Sequence, residues 1–299
     1  MGSLEALTLR HRGGNGSPFA EAADDGIKAD LPQFEGVAEC RDATAGSGGT
    51  RCTLLDLASS GRKFELAIYC RDGGEAGHAR PAEPLIVFCH GFGASRNEYT
   101  WVARDLVPKG YVVAILSLLN SYRVSIDLKT WYDSIIEAAD CGISLGDGRN
   151  GKASCRIDPN RVGVAGHSMG GAAVIAAASR DRRFRAVVSI SPPYFGRIWG
   201  DEVIDAARKL EAPTQIIVGS EDRLTPPKAA EAIYRAIGAE KDLSIIEGAS
   251  HLTFTDHGNG KRDLGAHKMA AWFDLWLKGG GSRRQSPLRS ADENGIPAR

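Results

Sequence analysis

The chain has 299 residues, with 37 Lys plus Arg against 37 Asp plus Glu and 42% hydrophobic residues. That length can bury one large core, and the balanced charge leaves no global field to attract nucleic acid or an anionic membrane. The longest apolar run, 112–119, is far too short to span a bilayer, and no apolar h-region stands at the N-terminus as written. The default expectation for location is therefore the cytoplasm, or secretion if a leader has been removed.

Residues 1–35 are rich in Gly, Ala and Asp without periodicity and read as a loose arm. Residues 279–299 read as a polar, disordered tail, which leaves 36–278 as a single domain. Segments 51–57 and 63–71 are expected to be antiparallel edge strands. Short apolar runs bounded by turns, at 85–89, 111–117, 161–165, 186–191, 214–219 and 243–247, suit buried parallel strands. Helical patterns fall between them at 97–106, 127–143, 169–179, 201–210, 227–237 and 265–277. This alternation predicts an α/β fold with a mostly parallel sheet of eight to nine strands and helices on both faces. The 191–214 interval is mostly consumed by one helix, too short for a large cap domain, so an open groove is expected.

The six cysteines all precede residue 156 and none forms a CxxC, so zinc and redox motifs are unsupported. Cys89 reads as a small core residue. Cys141 with Cys155, and Cys40 with Cys52, are candidate disulfide pairs.

Residues 166–171 read Gly-His-Ser-Met-Gly-Gly, directly after the apolar run 161–165 and before an alanine-rich helix. A strand, then Gly-x-Ser-x-Gly, then a helix is the arrangement of a nucleophile elbow. The sharp turn holds Ser168 in strained backbone geometry, so its neighbours two before and two after must lack bulk, and Gly166 and Gly170 meet that need. A serine hydroxyl needs a positioned base, and the base needs an orienting acid, in the chain order Ser, Asp or Glu, His. Asp222 and its neighbour Glu221 follow the strand 214–219, and His251 follows the last strand. His257 lies in the same loop as His251, but two histidines without a third ligand make no metal site. His167 is the variable position of the elbow, and His90 precedes the turn after strand 85–89. The oxyanion formed on an attacked carbonyl needs preorganised N–H donors. Met169, just after the serine, supplies one, and Phe92 in His90-Gly91-Phe92-Gly93 supplies the other.

With these residues in place the chain resembles the α/β-hydrolase superfamily, in its dienelactone-hydrolase-like lineage of bacterial cutinases and PET-hydrolase-like polyester hydrolases. The likeness runs from about residue 66 to 278. It covers the elbow, Ala212-Pro-Thr-Gln-Ile-Ile, Asp222-Arg-Leu-Thr-Pro226, Gly248-Ala-Ser-His251 and the closing Ala270-Ala-Trp-Phe-Asp-Leu-Trp-Leu-Lys278. The resemblance implies a serine carboxylic ester hydrolase of EC class 3.1.1, using Ser168, His251 and Asp222 through an acyl-enzyme on bulky or polymeric esters. It implies no cofactor and no metal, and a monomer is expected. Gly91, Phe92, Met169, Tyr194 and Trp199 are the expected substrate-binding residues, with Ile198 and Leu252 as further apolar lining. Three departures stand out: Ser191-Pro-Pro-Tyr194 replaces an Ala-Pro-Trp platform, no cysteine follows Cys155, and a long N-terminal arm without a signal segment, as written, precedes the domain. A chlorophyllase-like esterase and a non-enzymatic ligand-binding relative are the alternatives.

Overall fold

The computed structural model describes residues 33–39, 49–59, 62–72, 81–118, 127–146, 155–194, 201–258 and 260–279. Nine strands among these residues form one sheet: β1 Gln33–Glu39, β2 Thr50–Ser59, β3 Arg62–Arg71, β4 Glu83–Cys89, β5 Val112–Leu118, β6 Ile157–His167, β7 Phe184–Ile190, β8 Thr214–Gly219 and β9 Lys241–Ile246. Their order is β1-β2-β3-β5-β4-β6-β7-β8-β9. The first three pair antiparallel, β3 meets β5 antiparallel, and every pair from β5 to β9 is parallel.

Central parallel strands are covered on both faces, so they are apolar along most of their length, with a few buried polar residues such as Glu83 and Gln215. All seven residues of β4 are buried. Leu85, Val87 and Cys89 join a core with helices α2 (Leu128–Gly146), α3 (Met169–Ala178), α4 (Asp201–Lys209) and α5 (Pro227–Ala236). Ile86 and Phe88 point the other way, into a core with α1 (Thr100–Leu106) and α6 (Lys261–Phe273). The chain leaves β4 for β5 on one side and later returns to β6 on the other. The carboxyl ends of β4 and β6 therefore flank a topological switch point, where open α/β sheets bind ligands.

Several expectations need correction. Residues 33–39 form an edge strand, so the arm is not loose to residue 35 and β2 is an inner strand. The rest of the arm, and the tail beyond 279, lie outside the described residues. Strand β6 starts at Ile157 because Glu83 and Pro84 pair with Ile157 and Asp158 before a register shift to Leu85 and Val162. Its polar first half carries no apolar signal. Helix α6 starts at Lys261, ahead of Gly265, which sits inside the helix: a Cβ there would lie 2.9 Å from the Phe254 ring. That glycine is a packing gap. The backbone then continues through a wider π turn, Asp274–Lys278.

The Cys141–Cys155 pairing is also wrong. Cys155 is bonded to Cys70 at the end of β3, and Cys141 is a free, buried thiol on α2. Cys52 is disulfide-bonded, and Cys40 lies outside the described residues. The Cys70–Cys155 bond closes a loop with a sequence separation of 85, so it restricts the unfolded chain strongly. Replacing Cys70 and Cys155 by serine is expected to lower unfolding stability by about 2–4 kcal/mol, measured by urea titration. An unchanged midpoint would remove the bond's structural role.

Candidate active site

Strand β6 ends at His167 and α3 begins at Met169, so Ser168 occupies the turn alone. Its φ of 55° and ψ of −120° are strained for a side-chain-bearing residue, and the turn is held by Ser168 N–H donating to Ile190 O at 2.8 Å. A Cβ on Gly166 would collide with the carbonyl of Gly170, and one on Gly170 with the carbonyls of Cys89 and His90. The elbow therefore packs backbone to backbone against the end of β4. Met169 N–H, at the first position of α3, has no intrahelical acceptor and lies at the positive end of the helix dipole.

The loop after β4 is pinned through its histidine. His90 Nε2 accepts from Leu118 N–H at 2.9 Å, so its Nδ1 carries the proton and donates to Gly91 O at 2.6 Å. Ala94 N–H also donates to that carbonyl. Peptide planarity then turns Phe92 N–H the opposite way. Gly91 itself packs against the elbow: a Cβ there would stand 3.2 Å from Ser168 Cβ.

Asp222 and His251 meet from the ends of β8 and β9, with Nδ1 to Oδ2 at 2.8 Å. Leu224 N–H and Thr225 N–H donate to Asp222 Oδ1, and the Thr225 hydroxyl donates to Oδ2. Burial alone would raise the Asp222 pKa. The hydrogen bonds from His251 and Thr225 N–H outweigh it and bring the value down to about 2. A fixed carboxylate at Nδ1 leaves Nε2 as the basic nitrogen of His251. Among the described contacts the Ser168 hydroxyl is not hydrogen-bonded to that ring. Catalytic Ser–His contacts are commonly long without substrate and tighten on binding.

The competing residues are elsewhere. Glu221 is exposed, as are His257 and His267. No group of three or more His, Cys, Asp or Glu capable of holding a metal occurs among the described residues. Met169 is buried, and Tyr194 is half-buried against the core. Ile198 and Trp199 lie outside the described residues. Phe92 (46% exposed) and Leu252 (64%) present apolar surface beside the elbow and His251. Leu224, 62% exposed beside Asp222, was missed in the sequence because an isolated turn leucine carries no pattern. Tyr99 and the inward-facing His167 were missed too, since their partners lie far away in the chain, and so was Thr225, although its partner Asp222 is three residues away.

The model of the PET hydrolase-like family matches residues 77–293. The bis(hydroxyethyl) terephthalate hydrolase of Streptomyces coelicolor is 26% identical over 165 residues, covering 54% of this chain and 47% of that protein. Cutinase est1 of Thermobifida alba is 24% identical over 199 residues, covering 64% and 59%. The chain thus spans about half the length of the curated relatives it matches. The dienelactone hydrolase of Anabaena variabilis superposes with a TM-score of 0.60 at 24% identity, over 77% of this chain and 99% of that one, a likeness of fold.

Two fully buried histidines set the acid behaviour. Burial lowers His90 to about 4 and His167 to about 3, the latter helped by the neighbouring charge of His251. Both start from 6.5. Below that pH the unfolded chain takes up protons that the folded chain refuses, so stability is lost as pH falls. Asp222 adds to the loss below its ordinary 3.8. Calorimetry is expected to show a flat melting temperature above about pH 7, falling between about pH 6 and pH 4, with roughly two protons taken up on unfolding at about pH 5. A melting temperature that rises in that window would contradict neutral buried histidines.

Proposed function

The chain belongs to the PET hydrolase-like family, and from that premise we propose that it is a serine carboxylic ester hydrolase working through an acyl-enzyme. The observation that carries the reading is the 2.8 Å bond between His251 Nδ1 and Asp222, set beside a strained serine at a strand-to-helix turn. In this reading Ser168 Oγ attacks the ester carbonyl carbon while His251 Nε2 takes the hydroxyl proton. The new oxyanion accepts from Phe92 N–H and Met169 N–H. Collapse expels the alcohol, which leaves with the proton held on His251. Water, deprotonated by the same nitrogen, then attacks the acyl carbon and returns Ser168 with release of the acid. Asp222 stays ionised throughout and holds the imidazole in the tautomer that each step needs.

The substrate side of the proposal is a bulky or hydrophobic ester. Phe92, Leu224 and Leu252 expose apolar surface from the loops that carry the candidate oxyanion donor, acid and base. Within the described part of the 191–213 interval only α4 intervenes, which supports an open groove. The relatives named above act on a terephthalate ester and, by name, on cutin. The Cys70–Cys155 bond supports an oxidising compartment over the cytosol.

Ser168→Ala is expected to lower kcat for a short p-nitrophenyl ester by roughly 10⁴–10⁶-fold, and a fluorophosphonate probe should label Ser168 in the wild type. Folded protein that neither turns over any ester nor takes the label would instead fit a ligand-binding relative.

A further inference from the structure

We propose that Tyr99 and His167 form a positioning bridge that locks the oxyanion loop to the loop of the base, an inference that rests on the ester-hydrolase reading. The direction of every bond in the bridge follows from its ends. Gly91 N–H can only donate, and it points at Tyr99 Oη, 3.2 Å away. The His251 carbonyl can only accept, and His167 Nε2 lies 3.1 Å from it. His167 Nε2 therefore carries the ring proton, which leaves Nδ1 to accept from the Tyr99 hydroxyl at 2.9 Å. One chain of donors runs Gly91 to Tyr99 to His167 to His251, with each proton used once.

The bridge bears on the three groups that must agree in space. Its first member ends at Gly91, whose carbonyl is already held by His90 and Ala94. Both peptide units flanking Gly91 are thus pinned: the Phe92 N–H is oriented by the plane it shares with the Gly91 carbonyl, and the bridge holds the preceding unit through Gly91 N–H. Its last member grips the backbone of His251, and the two imidazole rings lie 4.6 Å apart. The ring between them belongs to the residue just before Ser168. A half-ångström drift of any of these loops would misplace a donor or a base, and misplacement on the order of 1 Å can cost about 100-fold.

His167 is buried, as is Tyr99, so neither has water as a substitute partner. An apolar residue at 167 would strand the Tyr99 hydroxyl and the His251 carbonyl. A proton added at Nδ1 would face the Tyr99 hydroxyl donor to donor. The charged and titratable groups bearing on this ring are His251, Asp222 and Tyr99, and burial with the His251 charge keeps it neutral.

The test uses Tyr99→Phe, His167→Gln and the double variant of the full chain, with p-nitrophenyl butyrate. Tyr99→Phe keeps the ring that packs 5.1 Å from Phe88 and removes only the hydroxyl. Each single variant is expected to lower kcat about tenfold with KM within about twofold. The double variant should be no more than about twofold worse than the weaker single one, because both cut the same chain. Full kcat in Tyr99→Phe, or losses that multiply in the double variant, would overturn the bridge. A readout independent of turnover is the long-range ¹H–¹⁵N spectrum of the histidine rings. It should show His167 neutral with the proton on Nε2 between about pH 5 and pH 8, and the Nδ1 signal should move in Tyr99→Phe. A proton on Nδ1, or titration of His167 in that range, would overturn the bridge by itself. If the wild type cleaves no ester, the functional reading fails and the spectrum alone decides the bridge.

Discussion

Backbone-to-backbone contact at the end of β4 and β6 is the constraint on which the remaining geometry depends. Gly166 and Gly170 have no room for a Cβ because the carbonyls of Gly170, Cys89 and His90 occupy that space. This closeness brings the loop after β4 within reach of the turn after β6. It also forces Ser168 into a positive φ, which the surrounding strands must stabilise. A methyl group at either glycine would separate the two loops before it touched any side chain of the site.

Around that contact, buried polar groups are paired with little slack. His90 uses one ring nitrogen on Leu118 and the other on Gly91. His167 divides its nitrogens between Tyr99 and His251. Asp222 collects two N–H groups, one hydroxyl and one imidazole. Low-dielectric surroundings strengthen such bonds and make each omission costly, so the network rigidifies the loops that carry it. Under the proposed function this rigidity is preorganisation: donors and base are set before a substrate arrives. The two histidines are neutral for the same reason, since a buried charge without a counter-ion would cost more than the fold supplies.

The contrast lies at the rim. Phe92, Leu224 and Leu252 are among the few large apolar side chains left in water, and they sit on the three loops that bear the polar network. A rigid polar floor beneath an apolar mouth suits the proposed cleavage of a small polar bond within a large apolar molecule.

Local signals made much of this legible in one dimension. The apolar runs within β4 to β8 name buried strands because a strand covered on both faces is apolar along most of its length. Gly-His-Ser-Met-Gly-Gly names the elbow because only glycine tolerates that approach, and the order of Ser168, Asp222 and His251 follows from the order of the strands. What needed the folded chain was pairing across distance. Cys155 selects Cys70 over Cys141 because β3 ends beside the approach to β6. Asp222 prevails over Glu221 because one side chain turns to the imidazole and its neighbour to solvent. Tyr99 meets His167 across 68 residues. Periodicity reports which face of an element is buried, whereas the partner found there is decided only when the loops of separate strands are brought to one edge of the sheet.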